Sequence, residues 1–540
     1  MFSNKEFKFF NNSLPSASTV QRYVKDLANE AYAKLQDGLE DYNFVLSFDG
    51  YKFQQRKMLS VVIFKSNGFD VEKWETVVFP VSSKFTDIAA AISNEINKVP
   101  FLITCDGAAS CLKAARILLS KNKVRPLHCS AHAFHLVVTQ AIDKSPYQCI
   151  KNLFSRARGI AASFRRTENS LKKRLRMPID VRWNSYLHCF ESILENKDEI
   201  NKYAVENSPK LFLKKSEIAV FEKICEILKI IEVASMSCCN NKCQLYEMTF
   251  YIRNALFKLF QLKNNEDEIY KDLIGVTSIE EEDEEDHDDN CGDSSKDEDY
   301  QVDEAEYSDS GDSDFENDTD LEIMDLEIDM VENKLDELTD ENINNLLNME
   351  VGDSANDKEA LLNFIDNLMG NICTRFKSHF NHPFVNLSLF LCPGMVNIEK
   401  VIDVKQVEKY IIKNCSKYLS HLNNNNERYD DVPEIFKNFE FIKVSSDDKE
   451  EPLLVNQIKI EVKHFKFLSS TSKLKFREFW EKHGNELIHL KQLVVKIFTC
   501  QVTSASCERL NSFFKRRLLS RPRLSNNQPR SETLVSRNNL

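Results

Sequence analysis

Short, nearly unbroken apolar runs separated by helical spacing fill the stretch from residue 44 to residue 142. NFVLSFDG, KMLSVVIFKS and KWETVVFPV are rich in Val, Ile and Phe, and a SNGFD turn joins the last two, so they predict three strands in an antiparallel meander. A helical segment, TDIAAAISNEINK, follows, then a fourth strand in PFLITCDG, a helix through SCLKAARILLSK, a short strand at PLHC and a helix through AHAFHLVVTQAI. Upstream, LPSASTVQRYVKDLANEAYAKLQ has a Pro and Ser boundary and then apolar Val20, Tyr23, Val24 and Leu27 at helical spacing. The order is β-β-β-α-β-α-β-α. One crossover helix separates the meander from the fourth strand, and the right-handed rule makes that strand parallel to the sheet. Docked beside the first strand, it brings Asp49 and Asp106 together.

From Asn184 to Trp480 the pattern turns helical, as in SEIAVFEKICEILKIIEVA and EMTFYIRNALFKLFQL. The chain then closes on a helical pair, REFWEKHGNELIHLKQLVVKIFTC and TSASCERLNSFFKRRLL. An acidic block interrupts the helical region. Between Ser278 and Glu341 stand 31 Asp and Glu against Lys296 and Lys334, so the net charge of −13 leaves the remaining 476 residues at +16. Self-repulsion and low hydrophobicity predict that this block stays unfolded, while the rest is basic enough for a phosphate-rich partner. Ser308, Ser310 and Ser313 lie among its acids, and phosphorylation there would deepen the charge.

A chain of 540 residues with 42% hydrophobic content can bury a large core in two to four units. The N-terminal MFSNKEFKFFNN has no apolar signal region, and no apolar run reaches the roughly 18 residues needed to span a bilayer. Fifteen cysteines without framework spacing fit reduced thiols and no structural disulfides. The expectation is a soluble intracellular protein without a membrane partner.

Both the first and fourth strands end on Asp-Gly. Hard divalent ions take oxygen ligands and keep several waters, so paired carboxylates beside a phosphate complete a two-ion site for in-line displacement. Asp-Gly also closes strands as an ordinary turn, and the pair alone leaves both readings open. Three antiparallel strands followed by two αβ units resemble the RNase H-like fold, an α/β core with a mixed five-stranded sheet. Here a large all-α insertion interrupts it.

Six segments, in order, resemble the hAT transposase family: LPSASTVQRYV, FVLSFDGYKF, LITCDGAAS, HCSAHAFHLVV, DVRWNSY and TSASCERLNSFF. The resemblance implies a catalytic triad of Asp49, Asp106 and Glu508 holding two Mg²⁺ or Mn²⁺ ions, with Glu508 displaced 402 residues from Asp106 by the insertion. It implies a structural or DNA-positioning role for Cys129 and His132 beside that site, and contacts to the reacting DNA end from Arg182 and Trp183. Trp183 equally suits an anchor for the helical insertion. Arg509, Lys515, Arg516 and Arg517, with Arg521 and Arg523 beyond, are candidate DNA contacts, though cations also favour a helix C-terminus. By the same resemblance Trp480, Leu487, Leu490, Leu493 and Val494 are the candidate surface of a homodimer or higher homo-oligomer, or serve the chain's own core.

The domains expected are a helical lead-in at 1–40, the first part of the core at 41–184, the helical insertion at 185–479 with the acidic segment at 278–341, and a dimerisation region at 480–540 that includes the last core helix. No zinc finger is predicted: no second Cys pair stands near HCSAHAFH, and CCNNKC with Cys238, Cys239 and Cys243 reads as a loop of buried thiols. Many hAT members begin with a BED-type finger, and none precedes the core here. Ser110 also stands where the family usually has Asn. The expectation is a nuclear DNA transposase that hydrolyses one strand at an element end and joins a 3′ hydroxyl by transesterification. The alternative is a domesticated, catalytically inactive derivative that binds nucleic acid and dimerises.

Overall fold

A computed structural model describes residues 16–264, 347, 354–419 and 453–520, apart from 54–55, 80–81, 167–170, 172–173, 180–182, 241 and 396–397. The acidic block with its three serines, Arg182, Arg521 and Arg523 lie outside the described residues. The chain opens with α1 (Ala17–Gly38), whose Ser16 hydroxyl accepts the Thr19 N–H at 3.2 Å as an N-cap. Its buried face is Ala28, Ala31 and Leu35; Val20 and Tyr23, the apolar start of the stripe, are exposed. Helical spacing identified the helix, but only its second half meets the sheet.

The strands are β1 (Phe44–Phe53), β2 (Arg56–Asn67), β3 (Asp70–Val78), β4 (Leu102–Cys105) and β5 (Leu127–His128). They form one mixed sheet in the order β3-β2-β1-β4-β5, antiparallel across the meander and parallel from β1 to β5. The crossovers are α2 (Phe85–Glu95) and α3 (Ala109–Leu118), and α4 (Ser130–Asp143) follows β5. This is the strand set and the parallel fourth strand that the apolar runs predict. β2 is buried on both faces, which is why its sequence is a continuous apolar run rather than an alternation.

Period-two alternation sorts the sheet into two faces. Phe44, Leu46, Phe48, Leu59, Val61, Ile63, Ile103 and Cys105 pack with Ile88, Ala89 and Ile92 of α2 and Ala114 and Ala115 of α3. The opposite face carries Val45, Met58, Val62 and Leu102, which join a larger core extending through the helices. Between them on that face lie Ser47, Ser60 and Thr104, all fully buried.

The helical part continues with α5 (Gln148–Arg166), α6 (Trp183–Glu195), α7 (Lys197–Asn207), α8 (Lys215–Cys239) and α9 (Leu245–Asn264). After the acidic region come α10 (Ser354–Phe380), α11 (Pro383–Phe390), α12 (Val404–Leu419) and α13 (Leu453–Thr471). The last helices are α14 (Phe476–His483), α15 (Ile488–Phe498) and α16 (Ala505–Ser520). Aromatic side chains tie these elements to the sheet. Phe101, just before β4, stacks on Phe384 of α11 at 4.4 Å, and Phe134 of α4 meets Phe376 of α10 at 4.7 Å. No helix among the described residues is long and apolar enough to cross a membrane.

Candidate active site

The parallel register pairs Ser47 with Thr104 and Phe48 with Cys105, so one further step sets Asp49 beside Asp106. Alternation puts both carboxylates on the face of Ser47 and Thr104, away from the apolar α2 and α3 side. That face is covered by α16, which packs on β1 and β2. Small residues permit the close approach: Ser504 and Ala505 are buried at the helix start, and Leu510 and Phe514 fill the core beside them. The segment entering α16 is stitched to β4 and α4 through its carbonyls. Thr104 Oγ1 donates to the Gln501 carbonyl at 2.6 Å, and the Ser130 N–H donates to the Val502 carbonyl at 3.0 Å.

Glu508 thereby joins the two aspartates. Burial first, and then the charges of Asp106 and Glu508, push the Asp49 carboxyl well above the usual carboxylate range. Three carboxyl groups thus crowd together, and at least one of them resists ionising. Asp49 is aimed by a side chain the sequence reading passes over. Asn511 Nδ2 donates to Asp49 Oδ2 at 3.0 Å, and the Ser60 hydroxyl in turn donates to Asn511 Oδ1. Asn511 is three residues after Glu508 and so shares its helix face, the signal that could have found it.

Asp106 is oriented by the Gly107 N–H and by His132, whose Nδ1 lies 3.3 Å from Asp106 Oδ1. Gly107 is required sterically: a Cβ there would land on the His128 imidazole. Asp106, His128 and His132 offer ligand atoms within 4.8 Å of one another, a possible metal-binding triad. Burial, and the neighbouring His379 and His132, bring His128 down to about 4, so it is a neutral imidazole at physiological pH. Two buried histidines hold this strand from the helical side. His379 Nε2 lies 2.7 Å from the His128 carbonyl and His382 Nε2 2.9 Å from the Arg125 carbonyl, so both rings donate. Burial brings each to about 4, in keeping with neutral rings.

Cys129 lies next to the third acid. Its Sγ accepts the Ser504 N–H at 3.2 Å, and burial, with the charge of Glu508, pushes the thiol up to about 12. The described cysteines, including Cys238, Cys239 and Cys243, are not paired in disulfides with one another.

The other sequence candidates lie elsewhere. Trp183 begins α6 and is buried in the chain's own core, the anchoring alternative of the sequence reading. Arg509, Lys515 and Arg516 are half-buried along α16, and Arg517 continues that helix. Trp480, Leu487, Leu490, Leu493 and Val494 are all buried within the single chain. Trp480 stacks on Phe465 at 5.3 Å and donates from Nε1 to the Leu391 carbonyl at 3.2 Å.

Comparison with known proteins adds two findings. Residues 455–539 match the hAT family C-terminal dimerisation region, in agreement with the resemblance read from the motifs. The match takes in α13, upstream of the boundary expected at residue 480. A 130-residue stretch is 25% identical to the Homo sapiens zinc finger BED domain-containing protein 4, covering 22% of this chain. The chain spans 11% of that relative's length.

Proposed function

We propose that this protein is a hAT-type DNA transposase with an RNase H-like core, using Asp49, Asp106 and Glu508 for metal-dependent strand cleavage and transesterification at element ends. The convergence of three carboxylates from β1, the end of β4 and α16 carries the reading, because their mutual repulsion has no purpose in a merely structural cluster. The donor set fits Mg²⁺ or Mn²⁺, since all three groups are hard oxygen ligands. When bound, such ions activate the attacking oxygen and stabilise the leaving one.

The chain's own residues hold that geometry. Asn511, backed by Ser60, fixes which Asp49 oxygen faces inward, and the Gly107 N–H does the same for Asp106. His132 stands against Asp106, where its ring can position a phosphate oxygen. Arg182, Arg509, Lys515, Arg516 and Arg517 are the proposed DNA contacts, supported by the positive charge of the chain outside the acidic block. Stacking of a base on Trp183 requires its indole to leave the core. A nuclear location and a homodimer through the C-terminal region follow from the same reading, the latter supported by the family match.

Purified protein with Mn²⁺ and candidate terminal-repeat DNA tests it. Cleavage and strand joining are expected, and are lost in Asp49→Asn and Glu508→Gln. Activity surviving both substitutions overturns the site. Tight DNA binding with no cleavage would instead identify a transposase-derived protein that has lost catalysis.

A further inference from the structure

We propose that Asp106, His128 and His132 form a nitrogen-and-oxygen site for a divalent transition ion, separate from the all-carboxylate set except for the shared Asp106. It does not rest on the catalytic reading, because it concerns which ion binds to which atoms. The sheet and the following helix build it from three local features. His128 pairs with Cys105 across β4 and β5, so it stands one register step from Asp106. His132 lies in the first turn of α4, with Nδ1 3.3 Å from Asp106 Oδ1. Gly107 removes the one side-chain carbon that would keep His128 from the Asp106 backbone.

His128 Nε2 is the telling atom. It is buried and has no hydrogen-bond partner, and it faces the space a Cβ on Gly107 would fill. A buried polar atom left without a partner costs free energy, and a lone pair next to a carboxylate and a second imidazole is what an incoming cation uses. The backbone behind His128 is held by the His379 ring through its carbonyl, which limits how far the imidazole can drift. Cys129, the nearest thiol in sequence, is not a member, because its sulfur is engaged by the Ser504 N–H.

Two imidazoles and one carboxylate leave further positions open for water or substrate, the donor count of an open rather than a closed structural site. Imidazole suits borderline transition ions such as Zn²⁺, Fe²⁺ and Ni²⁺ and is a poor ligand for Mg²⁺, and Mn²⁺, the weakest binder of the first-row series, is the paramagnetic ion that can report the site. The ions should therefore not be interchangeable: Mg²⁺ is confined to the carboxylates, while Mn²⁺ reaches both donor sets through Asp106.

Mn²⁺ bound to the full reduced chain is the probe, read by electron spin-echo envelope modulation, which detects directly bonded ¹⁴N. Nitrogen modulation is expected in the wild type and in Asp49→Asn and Glu508→Gln. It should weaken in His132→Gln, which leaves His128 as the one nitrogen ligand, with Mn²⁺ affinity at that site falling about 10-fold or more, and should disappear when His128→Gln is added. His132 is partly exposed, so the substitution spares the core, and an unchanged melting temperature verifies that. His128→Gln should behave alike. Mn²⁺ bound without nitrogen modulation, or modulation unchanged in both histidine variants, overturns the site and leaves the His132–Asp106 contact a plain hydrogen bond. Absence of DNA cleavage with any ion would sink the catalytic reading while leaving the nitrogen signal intact.

Discussion

The two faces of the five-stranded sheet follow opposite rules. Under α2 and α3 the strands present Phe44, Leu46, Phe48, Ile103 and Cys105, a dry layer whose partners come from the next few dozen residues. Under α16 they present Ser47, Asp49, Ser60, Thr104 and Asp106, a polar layer closed by a helix from the far end of the chain. One face supplies stability, and the other holds groups that repel one another. The difference shows how a fold supports a charged centre: the apolar layer overrides what the carboxylate layer opposes.

Substitutions on each face should separate these roles. The largest effect is expected from Asp49→Asn or Glu508→Gln, which should lower Mn²⁺-dependent cleavage by at least about 10²–10³-fold, the range for losing a preorganised charge-stabilising group. Both variants should melt no lower than the wild type in metal-free buffer, since each removes repulsion. Phe48→Ala on the opposite face should do the reverse, costing ~3–5 kcal/mol in denaturant titration because a fully buried ring leaves a cavity. Leu490→Ala belongs with it. At ~2–5 kcal/mol, it should lower the melting temperature before it alters the oligomeric state measured by light scattering. Asn511→Ala should be milder, reducing metal affinity or cleavage about 10- to 100-fold by freeing the Asp49 carboxylate while α16 stays docked.

The smallest effect is a pH dependence with opposite signs at the two ends of the range. Asp49 has a raised folded-state value, so the metal-free protein should lose stability as pH climbs from the ordinary carboxylate value through the raised one. Divalent cations or Asp49→Asn should flatten that loss. His379 and His382 are held down to about 4, so their contribution is complete above about 6.5 and is lost as pH falls toward 4. Melting curves across pH with and without Mn²⁺ distinguish the two.

The strands, their parallel join and the aspartate pair were legible because alternation and apolar runs report burial directly. Periodicity reports that a side chain is buried but not against what, so Trp480 reads equally as core or as subunit interface, and only the structure places it against Phe465 and the Leu391 carbonyl. His128 could be noticed only as a neighbour of Cys129, since its relation to Asp106 exists through strand pairing. The clasp from His379 and His382 was out of reach, because it joins residues some 250 positions apart.

The remote origin of Glu508 has a consequence for synthesis. Domains form as they emerge, at about 5–20 residues per second, so the 402 residues between Asp106 and Glu508 take roughly 20–80 s to make. During that interval the aspartates sit on an uncovered, hydrated strand surface, without the third acid and without Asn511 to aim the first. On the proposed assignment, a chain still on the ribosome would be chemically silent toward any nucleic acid around it until α16 arrives.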